Sequence, residues 1–196
     1  MYQEAARAYS ATAAIHYGIS CSNTSGNNFQ ITNNHIGGNS PGSVGTYTYS
    51  SGSGRFWAME INVGSTVATS IQGNTIRGFD LSSGFTTAGS TLFGGFVITG
   101  GVTNVGNISG NTIGSTSANS ISVSLSGAAA GPIIAGIATT GGTPHLFQNN
   151  TIAGFTVSAT TATAYGNIYA ISLGSTSGVP TVSDNAIGSS SAPINN

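Results

Sequence analysis

Apolar and polar residues alternate along most of this chain in short runs, each broken by small polar residues. Ser120-Ile-Ser-Val-Ser-Leu125 and Thr156-Val-Ser-Ala-Thr-Thr-Ala-Thr-Ala-Tyr165 are examples. Period-two alternation predicts half-buried β-strands, and the Gly, Ser, Asn and Pro at the run ends predict turns. The middle of the chain has no helical period. Only residues 3–14, Ala-rich with Glu4 and Arg7, are expected to form a short helix.

The strands fall into a repeat. One motif recurs five times: Ile31-Thr-Asn-Asn34-His-Ile36, Ile71-Gln-Gly-Asn74-Thr-Ile76, Ile108-Ser-Gly-Asn111-Thr-Ile113, Phe147-Gln-Asn-Asn150-Thr-Ile152 and Val182-Ser-Asp-Asn185-Ala-Ile187. The asparagines Asn34, Asn74, Asn111, Asn150 and Asn185 are separated by 40, 37, 39 and 35 residues. A second anchor precedes each of them: Ile19, Ile61, Ile98, Ile137 and Ile171, at 15, 13, 13, 13 and 14 residues from its Asn. Two anchors holding register through five units predict an all-β parallel solenoid of about five coils, each 35–40 residues long. A strand with a few inward Ile or Val cannot bury them alone, and stacked coils can.

At the inter-strand spacing, five coils make a rod of about 24 Å. The asparagine is expected at tight corners, where it tolerates left-handed backbone, and to form an amide ladder along the axis. Ile36, Ile76, Ile113, Ile152 and Ile187 are expected to share the core with the second anchors. Units two and four continue as Arg77-Gly-Phe79 and Ala153-Gly-Phe155, whereas units one, three and five continue with Gly37, Gly114 and Gly188 followed by polar residues. The repeat thus alternates in pairs of about 76 residues.

Motifs such as Ile108-Ser-Gly-Asn111-Thr-Ile113 and Phe147-Gln-Asn-Asn150-Thr-Ile152 resemble the right-handed parallel β-helix repeat family, in its Ser/Thr/Asn/Gly-rich form from bacterial secreted and surface proteins. The resemblance covers roughly residues 15–190 and speaks to fold far more than to activity. The coils are longer than is usual in that family, so each unit is expected to be either one turn with an extra strand or loop, or two short turns. Several members of this fold resemble polysaccharide lyases or hydrolases, so catalysis needs a direct test.

Composition narrows the function. Ser, Thr, Asn and Gly make up just over half of the 196 residues, and charged residues only 4%. Three Arg and no Lys cannot neutralise a nucleic-acid backbone, and no run of about 18 apolar residues crosses a membrane. Neither nucleic-acid binding nor membrane insertion is expected, and the Lys-free surface suggests an extracellular or cell-surface location. The acids Glu4, Glu60, Asp80 and Asp184 contain no Asp-x-Asp pair, and His16, His35 and His145 lack metal-ligand spacing. No enzyme activity, cofactor or metal is therefore expected. Arg55, Glu60, Arg77 and Asp80 concentrate charge within one unit, as ion pairs or as a carbohydrate-facing patch. Trp57, Tyr47, Tyr49, Tyr165 and Tyr169 are read as core or stacked aromatics before a sugar platform. Cys21, in step with Ile19, is expected to be a buried small hydrophobe.

The ends suggest assembly. Eighteen residues precede Ile19 and 11 follow Asn185, together 29, close to the 21–27 residues from each Asn to the next second anchor. Residues 1–14 are read as an N-terminal cap or inter-subunit segment, and 15–196 as one solenoid domain. Tyr2, Glu4, Arg7, Tyr9, Pro193 and Ile194 are the expected inter-subunit residues. The expected partner is another copy of the chain, stacked head to tail in an extracellular filament, with surface glycans a further partner. The alternatives are a repeat segment of a large adhesin, and a carbohydrate-binding or polysaccharide-degrading solenoid.

Overall fold

The computed structural model describes residues 7–9, 14–126, 130–174, 178–191 and 193–194. The chain enters through β1 (Arg7–Tyr9) and then winds through coils of four strands. Coil one holds β2 (Ile15–Asn23), β3 (Gln30–Thr32), β4 (His35–Ile36) and β5 (Tyr47–Ser51). Coil two holds β6 (Arg55–Val63), β7 (Thr69–Gln72), β8 (Thr75–Ile76) and β9 (Phe79–Ser83). Coil three holds β10 (Thr91–Gly100), β11 (Thr103–Val105), β12 (Thr112–Gly114) and β13 (Ile121–Leu125). Coil four holds β14 (Ala130–Thr139), β15 (His145–Gln148), β16 (Thr151–Ala153) and β17 (Phe155–Ala159). Coil five contributes β18 (Tyr165–Leu173), β19 (Thr181–Ser183) and β20 (Ala186–Ile187).

Every ladder is parallel and joins equivalent strands of successive coils. Four five-stranded sheets result: sheet A (β1-β5-β9-β13-β17), sheet B (β2-β6-β10-β14-β18), sheet C (β3-β7-β11-β15-β19) and sheet D (β4-β8-β12-β16-β20). The fold is a parallel β-solenoid with one turn per repeat unit, and the extra length supplies a fourth strand rather than a second turn. Residues 7–9 pair with Tyr49–Ser51 as a strand, not as part of the expected helix.

Inward rows of like residues fill the axis. Sheet D stacks Ile36, Ile76, Ile113, Ile152 and Ile187, and sheet C stacks Ile31, Ile71, Val105, Phe147 and Val182. Gly18, Ala58, Gly95, Gly136 and Ala170 stay small in sheet B because the sheet D isoleucines press on them. A methyl on Gly136 would lie 2.7 Å from Ile152 Cγ2 and from the Ala170 carbonyl. Tyr47, Phe56, Phe79, Phe93 and Phe155 join the core as a chain of rings, with centroids 5.0–6.1 Å apart at successive contacts.

The second anchors need correction. Ile19 is aligned with Met59, Phe96, Ile137 and Ile171, whereas Ile61 and Ile98 stand in the neighbouring inward row with Cys21, Thr139 and Leu173. A two-residue slip keeps a side chain on the same face, so apolarity alone does not reveal it. Ile108 is 80% exposed, and Val105 fills its expected core place. The chain bulges between Val105 and Asn111, with Gly106 at φ 81°. Ile187 is 55% exposed, since no described strand stacks beyond β20. Ile19 and Ile171, in the two outer coils, are only partly buried.

Candidate functional site

The asparagines form a continuous ladder at the corner between sheets C and D. Asn34 donates its backbone N–H and its Nδ2 to Asn74 Oδ1, both at 2.9 Å. Asn74 does the same to Asn111 (2.9 and 3.0 Å), Asn111 to Asn150 (3.1 and 2.8 Å) and Asn150 to Asn185 (3.0 and 2.9 Å). Each amide after the first also reaches back one coil, whereas Asn34 Nδ2 donates to the Thr32 carbonyl of its own coil at 3.2 Å. Asn74 Nδ2 donates to the Ile31 carbonyl, Asn111 to Ile71, Asn150 to Val105 and Asn185 to Phe147. Asn74, Asn111 and Asn150 are buried with two acceptances and two donations each, the full capacity of the amide. A buried amide so satisfied is held in one orientation, since only oxygen can accept a backbone N–H.

The ladder asparagines are not the left-handed residues. That geometry belongs to the preceding position: Asn33 (φ 56°), Gly73 (63°), Asn149 (56°) and Asp184 (57°). The corner therefore uses a residue pair, one to turn the backbone and one to bind the neighbouring coils.

The ladder has direction, and its two ends differ. Asn185 has a backbone N–H with no partner among the described residues, and Asn34 Oδ1 accepts no bond there. The coil-five face is apolar and open: Leu173, Val182 and Ile187 are 47, 45 and 55% exposed. At coil one, by contrast, Ile31 and Ile36 are 8 and 0% exposed. Of the expected contact residues, Tyr2 and Glu4 lie outside the described residues, Arg7 and Tyr9 are placed by backbone in β1, and Ile194 packs against the core beyond Pro193.

The four charges of unit two form no cluster of ion pairs among the described residues. The Arg55 guanidinium lies over the rings of Trp57 and Phe85, 5.7 and 5.3 Å from their centroids. Glu60 accepts a hydrogen bond from the Ser20 hydroxyl at 2.6 Å. Arg77 donates to the Ser43 and Gly42 carbonyls at 3.3 and 3.4 Å, and Asp80 is exposed on sheet A between Thr48 and Ser122. Trp57 is buried, with its indole N–H donated to the Thr91 carbonyl at 3.1 Å. Tyr49 is buried, whereas Tyr165 and Tyr169 are 54 and 42% exposed.

Burial, and then the Glu60 carboxylate, raise the Tyr17 hydroxyl's pKa against the opposing pull of Arg55. Burial also raises the Cys21 thiol, which disfavours the reactive thiolate. His145 is buried between the Thr103 hydroxyl (3.0 Å at Nδ1) and the Gly141 carbonyl (3.1 Å at Nε2). Nε2 therefore carries the hydrogen and Nδ1 accepts. Burial lowers its pKa, with the Gly141 and Gly142 carbonyls opposing. His35 is exposed in the outward row His35, Thr75, Thr112, Thr151 and Ala186. Among the described residues no three His, Cys, Asp or Glu side chains group as a metal site, and no helix is long and apolar enough to cross a membrane.

Sequence reasoning found the ladder but missed its polarity and its uneven ends, which require knowing which amide atom faces which coil. Compared with protein-family models, curated proteins and solved structures, the chain gives no significant match to any of them.

Proposed function

We propose that this chain is a structural subunit of an extracellular or surface filament, assembled head to tail by stacking coil five of one copy on coil one of the next. The observation that carries this reading is the complementarity of the ladder ends. In such a stack the Asn185 N–H, together with an Nδ2 hydrogen now donated to the Ser183 carbonyl, meets Asn34 Oδ1 of the next copy, and that Asn34 Nδ2 exchanges its own Thr32 carbonyl for the Val182 carbonyl. These are the bonds that join every internal pair of coils. The contact is heterologous and propagates without closing. It would cover Leu173, Val182 and Ile187, an apolar sheet end that otherwise invites aggregation.

Burial of Ile31 and Ile36 favours a second reading. There coil one is a covered start and coil five is continued by further coils of the same kind, as in a long adhesin. Neither reading gives the chain an active site.

Sedimentation and electron microscopy of the full chain over a range of concentrations test the filament. Linear particles are expected, with a diffraction spacing of about 4.8 Å and a subunit repeat near 24 Å for five coils. A chain that stays monomeric at every concentration overturns the filament. Val182→Asp with Ile187→Asp should abolish assembly without changing the β-sheet circular dichroism, and unchanged fibres would exclude coil five as the contact.

A further inference from the structure

The paired alternation of the repeat becomes a surface feature at the corner between sheets D and A. Coils one and three turn this corner by long loops, residues 37–46 and 115–120, whereas coil two uses only Arg77 and Gly78 and coil four only Gly154. The two long loops rise on either side of the short coil-two corner. Between them lies an open groove of about 360 Å³, lined by Ser43, Val44, Thr46, Arg77, Ser117 and Asn119 among others. Its frame is well tied: Gly78 O accepts from Gly38 N and Tyr47 N on one side, and Gly78 N donates to Ser120 O on the other. The matching notch over coil four has Ala153 in place of Arg77, and it is bridged by Ser191 Oγ donating to Thr116 O at 3.2 Å.

Three observations bear on what the groove takes. Arg77 is half-buried, and only two of its five N–H groups are engaged, both by long bonds to the carbonyls of Ser43 and Gly42. It makes no ion pair among the described residues, although Asp80 is only three residues away. The Ser43 hydroxyl is buried behind the groove wall and has no hydrogen-bond partner among the described residues, while the Ser43 backbone forms part of that wall and its carbonyl holds Arg77. Val44, 58% exposed, adds an apolar face to walls otherwise made of hydroxyl and amide groups.

We propose that this groove is a binding site for a sugar bearing a carboxylate, a uronic-acid unit of an acidic glycan. A single guanidinium with a free planar edge matches one planar monoanion through paired hydrogen bonds. The Thr46 and Ser117 hydroxyls and the Asn119 Nδ2, whose Oδ1 already accepts from the Thr156 hydroxyl, match a ring of hydroxyl groups. Val44 offers its methyls to the apolar face of that ring. The groove volume falls within the range of about 300–1,000 Å³ typical of small-molecule sites. The site stands independently of filament assembly, because every residue in it belongs to coils one to three.

Calorimetric titration of the full chain with a short uronic-acid oligosaccharide tests the proposal, beside the same oligosaccharide with its carboxyls methyl-esterified, and beside inorganic sulfate. Saturable binding of the acidic form is expected, weakened by salt and about tenfold weaker for the ester. Arg77→Gln should weaken it about tenfold or more. Val44→Asp, on an exposed side chain that leaves the frame untouched, should weaken it through like-charge repulsion and guards against a folding defect in Arg77→Gln. Absence of saturable binding overturns the proposal, as does affinity unchanged in both variants. Sulfate binding as tightly as the oligosaccharide overturns the sugar and leaves a plain anion site.

Discussion

Asn111 shows what one amide does in a solenoid. It is 1% exposed, accepts two bonds from coil two, and donates to coil two and to coil four. Asn111→Ala strands the Asn74 backbone N–H and one Asn74 Nδ2 hydrogen in a dry interior, where each unpaired group costs about 1–3 kcal/mol. We expect a loss of about 3 kcal/mol or more in urea unfolding, against about 1 kcal/mol or less for Asn34→Ala, whose side chain stands at the half-exposed ladder end. Equal losses at the two positions would show that the ladder is decorative. His145 gives the chain a pH response of determinate sign. Because burial depresses its folded pKa, the unfolded chain takes up a proton first as pH falls. Stability should therefore decline as pH drops through about 6.5, and level off once the native imidazole also protonates. Urea midpoints measured down that range should fall less steeply in His145→Gln, and parallel curves would assign the response to other groups such as His16.

At the scale of elements, Val105 and Ile108 separate motif from geometry. Ile108 holds the letter of the repeat, but its side chain is in water, and the bulge is fixed by Gln72, whose Oε1 accepts from the Ile108 and Ser109 N–H groups at 3.1 Å. Val105→Ala should cost about 2 kcal/mol, whereas Ile108→Ser should stay within about 0.5 kcal/mol of the parent. Thermal or urea unfolding of the two variants checks the contrast. The same pair shows how far the strands could be read from residues alone. Solenoid class, unit length and asparagine column were legible, because each rests on residues recurring at one interval. Strand register was not, because Ile61 and Met59 face the same way and either satisfies an apolar template. The groove was legible only as an alternation of Arg77-Gly78 with longer glycine-led corners. Its walls come from coils one and three, and no local pattern says that they flank the same cavity.

For the whole molecule, stability is expected to be a sum of coil and interface contributions, so the two ends need not melt with the middle. The amides of Thr112 and Ala186 make equivalent backbone bonds of 2.8 Å, yet coil three is packed on both sides and coil five on one. Hydrogen exchange should be markedly faster at Ala186 and Gly188 than at Thr112, and protection at coil five should rise on assembly. Uniform protection in the monomer would imply all-or-none opening. With only seven Arg, Asp and Glu residues in the chain, charge contributes little to this balance. The melting temperature should be nearly the same in dilute buffer and in about 1 M NaCl, where screening acts within roughly 3 Å.

The alternation of long and short corners also constrains how such a chain can lengthen. The Gly37–Thr46 loop sits so closely over the short corner that a methyl on Gly78 would strike the Gly45 carbonyl. Duplicating a long-cornered coil alone would set two long corners on adjacent rungs, and duplicating a short-cornered coil alone would leave two recesses side by side. Duplicating a pair reproduces the interlock at every step. Chains lengthened or shortened by two coils should therefore keep the native fold better than chains changed by one, as unfolding of the two kinds of variant would show.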